Sequence, residues 1–101
     1  QWAGWRLGWV NYINGKFKKA FERFQDVALR FPKGPLIEYN LYWSAKSAEK
    51  IGNKNKARKI FMDVANFYPY TFHGIRAREK MVEAGISFPE SNSNSKPRDV
   101  L

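Results

Sequence analysis

Residues 15–32, GKFKKAFERFQDVALRFP, and residues 52–69, GNKNKARKIFMDVANFYP, are one segment written twice. Offset by 37 positions, Gly15 falls on Gly52, Lys19 on Lys56, Ala20 on Ala57 and Phe24 on Phe61. Asp26, Val27, Ala28 and Pro32 then meet Asp63, Val64, Ala65 and Pro69, so eight of eighteen positions are identical. An internal repeat of this kind points to a stacked architecture, in which each unit buries its apolar face against its neighbours.

Both copies carry helical spacing. Phe17, Ala20, Phe21, Phe24, Val27, Ala28 and Phe31 fall three or four residues apart, as do Ala57, Ile60, Phe61, Val64, Ala65 and Tyr68. Pro32 and Pro69 stop these helices, because proline has no N–H to donate and its ring clashes with the preceding turn. A second helix precedes each. Trp2, Trp5, Trp9, Tyr12 and Ile13 space helically in the first copy, and Ile37, Leu41, Ala45, Ala48 and Ile51 in the second. Gly15 and Gly52 separate the paired helices and suit the left-handed conformation that closes a helix end. Asn53 suits the N-cap of the helix that follows, whereas Lys16 at the equivalent position does not.

The spacing predicts a fifth helix after Pro69, with Thr71 as its cap, Phe72, Ile75, Met81 and Val82 as its apolar side, and Gly85 at its end. No strand pattern competes. The expectation is an all-α fold of about five helices in helix-turn-helix repeats. Repeat one spans 1–32, repeat two 33–69, and the first helix of a third 70–86. Residues 87–101, SFPESNSNSKPRDVL, read as a linker or disordered tail, since two prolines and a Ser/Asn run bury little surface.

Composition narrows the function classes. The 101 residues carry 18 Lys+Arg against 9 Asp+Glu, a formal charge of +9, with 44% hydrophobic residues. That apolar content supports a packed core. With no cysteine, disulfide frameworks, thiolate metal sites and cysteine nucleophiles are excluded. The single histidine, His73, excludes multi-histidine metal sites, and no apolar run approaches the ~18 residues of a membrane span. Neither a metal, a cofactor nor a catalytic residue is expected. Glu22 and Asp26 share a helix face but sit among Lys18, Arg23 and Arg30, as solvated surface charges do. The chain opens at Gln1 directly into an aromatic segment, which reads as a fragment or a processed chain.

Leu7, Gly8, Ala20, Phe24 and Pro32 in the first copy, with Ala45, Ala57, Phe61 and Pro69 in the second, resemble the tetratricopeptide repeat. Small residues stand where paired helices cross, large ones fill the space between, and a proline ends the unit. The period of 37 departs from the usual 34, and Lys33-Gly34-Pro35 reads as the insertion. A narrower resemblance covers about residues 5–82. Trp5-Arg6-Leu7-Gly8-Trp9, Tyr42-Trp43-Ser44-Ala45-Lys46-Ser47-Ala48-Glu49, Gly52, Ala57, Phe61, Tyr68-Pro69, Phe72-His73-Gly74 and Ala77 are similar to the last superhelical repeats of soluble lytic murein transglycosylases. Lys46 stands where that family usually has Arg, and His73 where it often has Tyr.

The resemblance implies a periplasmic parent protein that cleaves peptidoglycan with a lysozyme-like domain outside this chain. Glu90-Ser91 has the letters of that domain's acid motif but follows Pro89 and leads into the Ser/Asn run, so no catalytic role is expected for it. The implied role of the repeats is structural. They would support the catalytic domain of the same parent chain and contact murein.

Two surfaces are candidates for binding. Where the first helix of each pair lines a groove, Trp5, Arg6, Trp9, Tyr12, Tyr42, Lys46 and Glu49 would face a glycan or peptide. Lys16, Lys18, Lys19, Lys54, Lys56, Arg58 and Lys59 gather at equivalent helix starts, against the helix dipole, and would form a basic stripe for an anionic partner. Alternatives are an independent tetratricopeptide module that binds a protein of the cell envelope and, more weakly, a basic nucleic-acid-binding repeat. Trp2, Trp5 and Trp9 leave the first repeat without a polar cap, so self-association through this aromatic face is expected.

Overall fold

A computed structural model describes residues 2–86 and 88, and the tail read at 87–101, with Glu90 and Ser91, otherwise lies outside the described residues. Five helices follow in order: α1 (Trp2–Ile13), α2 (Phe17–Arg30), α3 (Ile37–Ile51), α4 (Lys54–Phe67) and α5 (Phe72–Glu83). Among the described residues there is no strand. Each helix packs on the next in sequence, and α3 also touches α5. The result is a stack of antiparallel pairs.

Local chemistry accounts for the boundaries. α2 and α4 end before the prolines, at Arg30 and Phe67. Gly52 closes α3 at φ +97°, donating its N–H to the carbonyls of Ala48 and Glu49. The Asn53 side chain accepts from the Lys56 N–H at 3.2 Å, while Lys16 makes no side-chain cap. Thr71 accepts from the Gly74 N–H at 3.1 Å and donates to the Tyr68 carbonyl at 3.1 Å, fastening the start of α5 to the end of α4.

The two copies are buried alike. Ala20, Phe24, Val27 and Ala28 are core residues, and so are Ala57, Phe61, Val64 and Ala65. Phe24 and Phe61 are completely buried. Gly8 explains how α1 reaches Phe24, because a Cβ there would come within 2.7 Å of the ring. Ala45, at the position equivalent to Gly8, is likewise fully buried.

α3 lies between neighbours and buries polar residues that no apolar pattern signals. Asn40 donates to the Leu36 carbonyl at 2.8 Å, Ser44 to Leu41 at 2.8 Å and Ser47 to Trp43 at 2.8 Å. Short polar side chains whose donors return to their own helix keep the helix slim, although the buried Asn40 Oδ1 has no partner among the described residues. Gln25 of α2 donates to Ser44 at 2.9 Å and links the repeats.

The face of α5 differs from the sequence expectation. Met81 is buried, but the inward side is completed by Gly74 and Ala77, while Phe72, Ile75 and Val82 are exposed. Close approach selects the small residues: a Cβ at Gly74 would collide with the Tyr68 carbonyl oxygen. The large side chains project from the opposite face, which has no helix beyond it among the described residues.

Candidate functional site

The first helix of each pair, α1, α3 and α5, contributes to one shared face. On α1 the rings of Trp5, Trp9 and Tyr12 recur at i, i+4 and i+7 and stack along the axis. Trp5 and Trp9 lie 6.0 Å apart at 9°, and Trp9 and Tyr12 5.9 Å apart at 2°. Trp43 of α3 meets Trp9 and Tyr12 edge-on at 5.0 and 5.2 Å. This aromatic junction joins the two repeats, and such pairs add about 0.5–1.5 kcal/mol each beyond the area they bury.

Beside it lies a charged region. The Lys46 ammonium sits 5.9 Å from the Trp43 ring centroid. Burial pushes its pKa below the ordinary 10.5, and the positive charges of Lys80, Lys50 and Arg76 push the same way, with Glu49 opposing. Lys80 bridges to Glu49 at 3.3 Å and covers the Phe61 ring at 5.3 Å. The Tyr12 hydroxyl is raised by burial first, then by the nearby Glu49 carboxylate and Tyr42. Like charges held close at a half-buried lysine suit an anionic group better than a neutral one.

At the other end of α3, His73 of α5 lies 3.3 Å from Glu38, with Tyr39 and Tyr42 edge-on at 4.7 and 5.0 Å. Burial lowers the His73 pKa from 6.5 although Glu38 pulls it upward, and burial wins because only 12% of the side chain is exposed. His73 therefore acts as a packed joint between α3 and α5. Among the described residues no cluster of His, Asp and Glu could hold a metal ion.

The groove candidates separate. Trp5, Trp9, Tyr12, Lys46 and Glu49 are brought onto the shared face. Tyr42 differs from its groove reading. It is 5% exposed and packs on Phe61 and His73 in the core. Arg6 is exposed and, among the described residues, makes no ion pair. Trp43, Lys50, Arg76 and Lys80 were not signalled by the sequence. In the repeat register Trp43 occupies the position of Arg6, so the repeat gave no hint of an aromatic residue there.

The stripe candidates also separate. Lys18 and Lys56 line one open cleft of about 350 Å³, with Phe21, Glu22, Ala48, Ile51 and Asn53. Lys54 and Arg58 line a second of about 270 Å³, with Glu49, Phe61 and Met81. Lys19 instead lies beside Leu7 and Asn11 in a cleft between α1 and α2. Lys59 is paired with Asp63 at 3.7 Å, and Lys16 is exposed beside Gly15.

Residues 39–69 match the family model described as the tetratricopeptide repeat. The fold is tetratricopeptide-like. The match runs from α3 through α4 to Pro69 and covers most of the second repeat. No curated protein and no solved structure matches the chain. Tetratricopeptide repeats are protein-interaction scaffolds, which places the interest of this molecule in its surfaces. Among the described residues no helix is long and apolar enough to cross a membrane.

Proposed function

We propose that this chain is a non-catalytic superhelical segment of a peptidoglycan-cleaving lytic transglycosylase of the periplasm. Its helices extend a platform that supports the catalytic domain of the same parent chain, and the shared face of α1, α3 and α5 contacts murein. One observation carries the reading: the residues behind the resemblance are those that join the repeats. Trp43 ties α3 to α1, while Ala45, Ala48, Ala57, Phe61 and Ala77 are buried between helices, and Gly74 lets α5 close on Tyr68. His73 fills the joint beside Glu38. The charged region supports the murein contact, because peptidoglycan stem peptides carry carboxylates that Lys46 and Lys80 would meet.

Co-sedimentation with purified peptidoglycan tests the contact. Binding that weakens on Lys46→Gln with Lys80→Gln supports it, and no retention at low salt refutes it. A second reading, an independent tetratricopeptide module for a cell-envelope protein, is favoured by the ring geometry. The faces of Trp5, Trp9 and Tyr12 are spent largely on one another, which leaves edges better suited to a peptide than to a sugar ring.

A further inference from the structure

The two helical pairs and α5 form a second surface, independent of the murein reading. Because paired helices are antiparallel, the ends of α1, α3 and α5 and the starts of α2 and α4 lie along one edge of the stack. The first two tips each carry an exposed isoleucine, one position apart in the repeat register. α1 ends in Ile13, 60% exposed, and α3 in Ile51, 47% exposed. Asn14 and then Gly15 follow Ile13, while Gly52 follows Ile51 directly, and an added Cβ at either glycine would meet nothing within 4 Å, so both turns stand open. Val82 stands exposed on the last turn of α5.

Lysines surround the two isoleucine tips, whereas Val82 lies beside Arg78, Glu79 and Glu83. Lys16 and Lys18 follow the first turn, Lys54 and Lys56 the second, and Lys50 precedes it. Among the described residues none of the five has a carboxylate within ion-pair distance. Glu49, the nearest acid on α3, is engaged by Lys80. The opposite edge differs: Asp26 pairs with Arg30 and Glu38 with His73, and Lys33, the one lysine of the α2–α3 turn, has no carboxylate at ion-pair distance among the described residues.

We propose that this edge docks on an anionic lipid bilayer, with Ile13 and Ile51 entering the interface and the five lysines meeting phospholipid phosphates. Charge complementarity alone would suit a nucleic acid equally well. The apolar groups decide between them. Single-stranded nucleic acid is held by free aromatic faces on which bases stack. Here the edge's rings are covered, Phe17 by Lys50 at 5.9 Å and Phe21 by Lys56 at 5.4 Å. What projects is aliphatic, which cannot stack a base but partitions into a headgroup boundary. The cations at the tips are lysines, compact charges without the planar fork that arginine offers a phosphate, and long enough to keep their heads in the headgroup layer.

Vesicle sedimentation tests the proposal, using phosphatidylcholine alone and phosphatidylcholine with about a third phosphatidylglycerol. The chain is expected to bind the anionic vesicles only, and binding should fall steeply with salt. A lysine near such a surface is worth roughly fivefold in partitioning, so Lys18→Gln, Lys54→Gln and Lys56→Gln together should cost about a hundredfold. Ile13→Ser with Ile51→Ser, which leaves the charge unchanged, should cost several-fold. All five positions are exposed, so circular dichroism should show the helices intact. No binding to anionic vesicles at low salt overturns the proposal, as does binding indifferent to the lysine changes. Binding indifferent to the isoleucine changes, with single-stranded DNA bound as tightly, overturns it in favour of a general polyanion site. None of these outcomes depends on peptidoglycan co-sedimentation.

Discussion

Replacing Gly8 with alanine pits two effects of known sign against each other. In the middle of a helix glycine is worse than alanine by about 0.5–1 kcal/mol, so Gly8→Ala on a free helix would stabilise. Here the new methyl would stand 2.7 Å from both Cδ1 and Cε1 of Phe24 and 3.1 Å from Cζ. Carbon atoms rest at about 3.5–4.0 Å, so ring or helix must move by most of an ångström. The ring has little room, since Phe24 is completely buried. Overpacking at such a site costs about 1–3 kcal/mol, which exceeds the propensity gain. The net expectation is a loss of about 1 kcal/mol, or roughly 4–8 °C in Tm for a domain of this size. Thermal unfolding followed by circular dichroism measures it. A double-mutant cycle with Phe24→Leu assigns the cause. The shorter side chain should cost less in the Gly8→Ala background than in the parent, with a coupling of about 1 kcal/mol. A Gly8→Ala protein that melts higher than the parent, or additive changes in the cycle, would refute the reasoning.

Phe24→Ala and Phe61→Ala should each cost about 3–5 kcal/mol in urea unfolding, because equivalent rings fill equivalent sites, and a cost at one position without the other would break the structural equivalence of the repeats. Trp43→Ala should remove the near-ultraviolet circular dichroism that arises from its contacts with Trp9 and Tyr12, and an unchanged spectrum would contradict the junction. His73 titrates below 6.5 in the folded chain, so the unfolded chain takes up the proton first. Its contribution to stability is therefore whole above about pH 6.5 and is lost as the pH falls below it. Melts from pH 8 to pH 5 should show a decline that His73→Gln removes, and parallel slopes would count against a neutral, buried imidazole. Leu7 and Val10 are exposed on α1, so sedimentation velocity should show self-association that Leu7→Lys with Val10→Lys reduces, whereas a strict monomer at high concentration would contradict it.

The repeat was legible in the sequence because its physical demands recur unchanged. A buried ring at Phe24 or Phe61, a small residue where helices cross and a proline at the end of each unit leave the same letters 37 positions apart. Caps were legible for the same reason. Asn53 and Thr71 each place an acceptor where a free backbone N–H needs one, and Lys16 has none to offer. The face of α5 was not legible. Apolar periodicity ranks Phe72, Ile75 and Val82 above Gly74 and Ala77, yet packing distance selects the glycine and alanine. α3 hid its burial likewise, since Asn40, Ser44 and Ser47 donate to their own backbone and pass for surface residues.

Surfaces were harder to read than the core, and the reason bears on function. A core position is decided by its own repeat, so two copies vote on it. A surface site is assembled across repeats, from positions that need not correspond. Trp43 takes the register of Arg6, yet it meets the stacked rings of Trp9 and Tyr12 edge-on. Lys46 has its pKa lowered first by burial and then by Lys80 of the next repeat, whose effect comes ahead of those of Glu49 and Lys50 of its own helix. Lysines at equivalent helix starts diverge in the same way: Lys19 turns to α1, while its counterpart Lys56 covers Phe21 of the preceding repeat. The features that would distinguish murein, protein and lipid partners therefore reside in differences between the copies. Substitutions that exchange Arg6 and Trp43 between repeats should leave the fold largely intact while dispersing the aromatic junction.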